Sequence, residues 1–123
     1  MGYIFSFEKL EVWQNAKNLT LFVYGITSAL PANEQYGISS QLKRSVSSIA
    51  TNIAEGTSKE TPKDKAYFLT VAYSSAMETL NHLIIAKELQ YLSEENYLNC
   101  REQLEKICNQ MTNLKKYFLS QSK

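Results

Sequence analysis

Along almost the whole chain apolar residues recur every three to four positions, and only two prolines and four glycines interrupt them. A period near 3.6 residues is that of an α-helix, and so few breakers leave room for a small number of long helices and no strand. A first helix runs from about Phe7 to Leu30 and is ended by Pro31. A second covers about Ile38 to Glu55, with Gly56 as the expected left-handed stop. A third covers about Lys63 to Gln90, entered through "SKETPKD" with Pro62 in its first turn. The fourth covers about Glu94 to Leu119, where Ser93 supplies the N-cap and Glu94 and Glu95 suit the positive end of the helix. Short connections make neighbouring helices antiparallel, so the predicted fold is all-α, an up-down-up-down antiparallel four-helix bundle. At 123 residues and 44% apolar, the chain suits one such domain spanning residues 1–123.

The helix faces predict more burial than one bundle supplies. Helix 4 carries a single apolar seam, Cys100, Leu104, Ile107, Met111, Leu114 and Phe118, opposite a polar face. Helix 1 has a matching seam, yet Leu10, Trp13, Leu21 and Tyr24 fall on its other side. Helix 3 is apolar nearly all round, with Tyr73, Met77 and Ile84 turned away from Ala72, Leu83 and Ala86. Surplus apolar faces need a second surface to cover them, so a symmetric homo-oligomer is expected, with Leu10, Trp13, Tyr24, Tyr73, Met77 and Ile84 at its interface.

Helix 2 places polar and apolar ridges side by side. On its wheel Arg44, Ser45, Ser48, Asn52 and Glu55 lie within about 60° of Gln41, beside Ile38, Leu42, Val46, Ile49 and Ile53. The remaining arc, Ser40, Ser47, Ala50 and Ala54, is small and lets another helix come close. A polar stripe at a helix contact needs partners, because each unpaired buried polar group costs about 1–3 kcal/mol. Counting outward from the connection to helix 3 sets Glu78 level with Gln41 and Arg44, Ser75 with Ser45, and Ala72 with Ser48. The expected bonds run from Arg44 or Gln41 to Glu78, with Asn52 and Glu55 satisfying backbone groups where helix 2 ends. Glu55 faces the negative end of its own helix, where a carboxylate needs a compensating partner; the exposed amides of a neighbouring helix start are the alternative. Gln41, Arg44, Ser48, Asn52, Glu55 and Glu78 together read as a network that fixes helix register, the other reading being the floor of a groove open to a ligand or RNA.

Catalytic chemistry finds little support in these residues. Di-metal helix bundles use Glu-x-x-His pairs, whereas the one histidine, His82, lies four after Glu78 and reads as a hydrogen-bonded core imidazole. Cys100 and Cys108 are about 12 Å apart along one helix, too far to bridge, and no second cysteine pair completes a zinc site. Both are expected to be reduced core thiols. Neither a glycine-rich phosphate loop nor a Ser-His-Asp set can be assembled, so a non-enzymatic protein without metal or cofactor is expected. A net charge of +1 argues against holding nucleic acid by overall charge. A local basic rim is the alternative, formed by Lys43, Arg44, Lys59, Lys63 and Lys65 near the helix 2–3 connection and repeated in every subunit of an oligomer. Glu55, Glu60 and Asp64 sit among these cations. No apolar run approaches the roughly 18 residues that span a bilayer, and "MGYIFSFEKLEVW" lacks the pattern of a signal peptide, so no membrane contact and a cytoplasmic location are expected.

"FEKLEVWQNA", "LPANEQYGISSQLKRSVSSIATNIAEG" and "FLTVAYSSAMETLNHLIIAKELQYL" together resemble the bacterial four-helix-bundle family named for the protein encoded in intervening sequences of 23S ribosomal RNA genes. The resemblance runs from Phe7 to about Leu92, with helix 4 matching in pattern. Its most specific element is the spaced set of Pro31, Glu34, Tyr36, Gly37, Gln41, Arg44, Ser48, Ile49, Asn52, Ile53, Ala54, Glu55 and Gly56, joined by Glu78. The family resemblance implies a four-helix protomer, commonly assembled into a five-fold ring, without known catalytic activity. It also implies kinship with accessory proteins of diversity-generating retroelements, similar barrels that bind nucleic acid and a reverse transcriptase. RNA or DNA and a nucleic-acid-processing protein are thus the implied partners. Those relatives present strongly basic surfaces, and this chain is near neutral.

Overall fold

The structure, a computed structural model, describes residues 2–35 and 37–121; Tyr36 of the motif above lies outside them. Four α-helices account for most of these residues: α1 (Glu11–Thr27), α2 (Ile38–Thr57), α3 (Pro62–Glu88) and α4 (Glu94–Ser120). Each packs on its sequence neighbours and α4 returns to α1, which closes the up-down-up-down bundle. Leu19, Val23, Val46, Ile49, Leu83 and Ile107 are among the side chains fully withdrawn from solvent along its axis. Burying each aliphatic side chain of this size stabilises the fold by about 1.5–3 kcal/mol. Ala16, Ala72, Ala76 and Ala86 are equally buried and let the helices approach closely between those layers.

The helix ends follow local chemistry. Thr61 accepts the Asp64 N–H at 3.1 Å ahead of Pro62, and Ser93 accepts the Asn96 N–H at 3.1 Å, so α3 and α4 start on capped turns. The first helix is shorter than its periodicity predicts. Leu10 is extended, and residues Ser6–Lys9 form a separate 3-10 turn in which the Glu8 carboxylate accepts the Phe5 N–H at 2.8 Å. At its other end Thr27 and Ser28 turn their hydroxyls onto the carbonyls of Tyr24 and Gly25, a local alternative to a further helical turn.

Gly56 is not a left-handed stop. It stays helical, buried inside α2, which continues to Thr57, and no described glycine has positive φ. Its small size serves packing instead: a Cβ there would stand 2.9 Å from the Phe68 Cβ and 3.4 Å from the Lys65 carbonyl. The left-handed residue is Gln90, with φ 64°. Its N–H donates to the Lys87 carbonyl and the Tyr91 N–H donates to that of Ala86, both at 2.9 Å, so a Schellman turn ends α3 with glutamine where glycine is usual.

Candidate functional site

The α2–α3 contact is the most extensive in the bundle, and a polar ladder runs along it. At its open end Arg44 donates to both Gln41 and Glu78, and the same Glu78 oxygen lies 3.4 Å from His82 Nε2. Burial pushes the Glu78 carboxyl up, but the hydrogen bonds and charges of Arg44 and His82 outweigh it and hold the group below its ordinary value. Arg44 is still 56% exposed along its side chain, so this rung belongs to the surface. One step inward, Thr79 donates to Ser45 at 2.9 Å, both fully buried. Ser48 and Ser75 then share a hydroxyl bond of 2.8 Å, and Asn52 donates to the Ser48 carbonyl and hydroxyl.

The Arg44–Glu78 bond is the one expected from counting through the loop, whereas the next two rungs pair one turn away from that count. Ser75 meets Ser48 rather than Ser45, and Ser45 meets Thr79. Farther along the same seam Gly56 lies close to Phe68 and Lys65. Glu55 lies off the ladder: it is exposed on the α1 side of α2, its carbonyl accepts from Ser58, and among the described residues its carboxylate has no hydrogen-bond or ion-pair partner. Thr79 was absent from the sequence reading, although its spacing of four from Ser75 places both on one face. A second cross-link also escapes that reading. The Tyr91 hydroxyl donates to Glu34 at 3.0 Å, tying the α1–α2 connection to the α3–α4 connection, and the Glu34 carboxylate raises the Tyr91 pKa.

The five candidate basic residues are mostly engaged within the protomer. Lys43 lies over the Tyr24 ring at 5.5 Å and Lys59 over Phe68 at 4.8 Å. Lys65 donates to the Thr57 carbonyl at 2.9 Å, where it caps the end of α2, and lies over Phe118. Arg44 is paired to Glu78, and Lys63 is exposed. The five residues do not present one continuous set of free cations.

The apolar candidates fall on opposite sides of the bundle. Trp13 and Leu21 join Ser47, Ala50, Ala54 and Glu55 around a groove of 430 Å³ between α1 and α2, with the Tyr24 hydroxyl 3.3 Å from Ser47 beside it. Tyr73 and Met77 join Leu80, Leu104, Arg101 and Cys108 around a cleft of 380 Å³ between α3 and α4, continued toward the base by Met111 and Lys115. Leu21 is 64% exposed and Met77 40%. Ile84 is exposed on α3 outside the cleft lining, and Leu10 is half-buried at the base against Leu114.

Neither thiol is activated. Burial pushes Cys100 up to about 12 and also raises Cys108, with the nearby Glu105 charge adding to the second. Among the described residues no three His, Cys, Asp or Glu side chains converge on a common point, and no helix is long and apolar enough to cross a membrane.

A model of the 23S rRNA-intervening sequence protein family matches residues 8–113, which take in α1, α2 and α3 whole and α4 as far as Asn113. The chain belongs to that family. A solved structure has the same fold: a protein of unknown function from the S23 ribosomal protein family of Bacteroides thetaiotaomicron VPI-5482 superposes with a TM-score of 0.78 at 24% identity. The match covers 85% of this family member and 98% of that chain. Among curated proteins no relative matches it.

Proposed function

We propose that this family member is a non-catalytic, homo-oligomeric scaffold, a ring of five by family resemblance, with a nucleic-acid-associated accessory role in the bacterial cytoplasm. One observation carries the assembly: apolar grooves stay open on two opposite sides of a bundle whose own core is closed. Exposed apolar patches of this kind mark interaction surfaces. The remaining chemistry supports the absence of catalysis, since the thiols are protonated and the one histidine is spent on Glu78.

The nucleic-acid role rests on family membership rather than on a basic surface, and direct binding through Lys43, Arg44, Lys59, Lys63 and Lys65 is the weaker reading. Light scattering after size exclusion tests the assembly: a mass several times that of the 14.1 kDa chain is expected, and a concentration-independent mass near 14.1 kDa overturns it. Filter binding of RNA and DNA at two salt concentrations tests the second part. Retention that falls with salt supports nucleic-acid contact, and no retention at low salt removes it.

A further inference from the structure

The two outer grooves differ in shape as well as in position. The α1–α2 groove has a floor of small residues, Ser47, Ala50 and Ala54. The α3–α4 side instead carries long exposed side chains, Tyr73 and Met77. A two-fold contact would pair one patch with itself and leave the opposite one open to water, whereas a head-to-tail contact covers both with one chain.

The charges distinguish the two faces as well. Glu55 stands in the last turn of α2, beside the groove floor and against the negative end of the helix dipole. Among the described residues it has no cationic partner. Lys115 stands on the α3–α4 side, half-buried, donating to the Thr70 hydroxyl at 2.8 Å and paired with no described carboxylate. Both lie toward the same end of the bundle, because α2 and α4 run in the same direction and each residue is in the last part of its helix. Rotation about an axis along the bundle keeps every copy pointing the same way, so the two charges arrive at one level.

We infer that the α1–α2 groove of one copy seats Tyr73 and Met77 of the next, and that Glu55 pairs across this contact with Lys115 of the neighbouring copy. This rests on the assembly reading above and adds which face meets which. The pairing gives Glu55 a cation from the neighbouring copy, since Lys17, which lines the same groove, lies over the Trp13 ring at 5.6 Å and makes no ion pair with Glu55.

Sedimentation velocity on the full chain tests it, comparing wild type with Glu55→Lys, Lys115→Glu and the double exchange, while circular dichroism checks that each protomer stays helical. Each single exchange is expected to raise the dissociation constant by at least about tenfold and the double exchange to recover most of that loss, as coupled charges do. Should either single exchange unfold the protomer, Glu55→Gln and Lys115→Gln replace them, each expected to weaken assembly without added repulsion. An assembled wild type indifferent to the exchanges, or a double variant as weak as the two losses combined, overturns the pairing alone. A monomeric wild type overturns the assembly reading with it.

Discussion

The α2–α3 seam and the α1–α2 groove both draw on small residues of α2, yet one is closed and the other is open. Serine, alanine and glycine bring α2 and α3 close enough for hydroxyls to bond directly, and among the described residues every buried side-chain polar atom has a partner. Along the α1–α2 groove the small residues Ala50 and Ala54 are half-buried and leave the space between the helices open. The contrast teaches that small residues on α2 serve two contacts: Gly56 receives α3 within the protomer, and the opposite arc is free to receive something else.

The largest expected effect separates buried from uncovered leucine. Leu83→Ala, in the closed core, should cost about 2–5 kcal/mol in urea unfolding through lost burial and a residual cavity. Leu21→Ala, at the open groove, should change protomer stability by about 0.5 kcal/mol or less while weakening assembly. Equal losses of protomer stability would mean that the groove is already covered within the chain. Gly56→Ala probes the closed seam with a single methyl group. Helix propensity favours alanine by about 1 kcal/mol, but overpacking typically costs about 1–3 kcal/mol. The new Cβ would press on the Phe68 Cβ and the Lys65 carbonyl, neither of which can swing away as a side-chain tip can, so a net loss of about 1 kcal/mol is expected. A more stable Gly56→Ala protein would show that the seam has slack.

The difference between the two regions was only partly legible in the residues. Helix existence was readable because a 3.6-residue period, the Ser93 cap and Pro62 in the first turn of α3 are local signals. The polar ridge of α2 was readable for the same reason. Its register was legible at Arg44 and Glu78 but not at the serines, because loop length places two helices only coarsely and contacts such as Gly56 on Phe68 emerge only when the helices are packed. The wheel angle of Glu55 matches the ladder, but an angle alone does not say which neighbouring helix a side chain faces, and Glu55 lines the α1–α2 groove. The Glu34–Tyr91 bond joins residues 57 apart through two connections, where periodicity carries no information. The grooves were half visible: Trp13 and Met77 stood out as surplus, but Ala54, Cys108 and Lys115 look ordinary until two helices are placed side by side.

The smallest effect concerns the exposed rung at the mouth of the closed seam. Glu78 is held below the ordinary carboxylate value of 4.5 when folded, so the folded state favours its ionised form more than the unfolded chain does. Its contribution is therefore present above about pH 4.5 and is lost as pH falls through the lower folded value. Because the carboxylate is 35% and Arg44 56% exposed, water and salt screen the pair, and the loss should stay within about 1 kcal/mol. Chemical denaturation at pH 7 and pH 3 measures it, and Glu78→Gln should remove this part of the acid dependence. If Glu78→Gln leaves the acid dependence unchanged while Thr79→Val still destabilises the protomer, the register is held by the buried hydroxyls alone. The charged rung would then add nothing to the distinction between the closed seam and the open grooves.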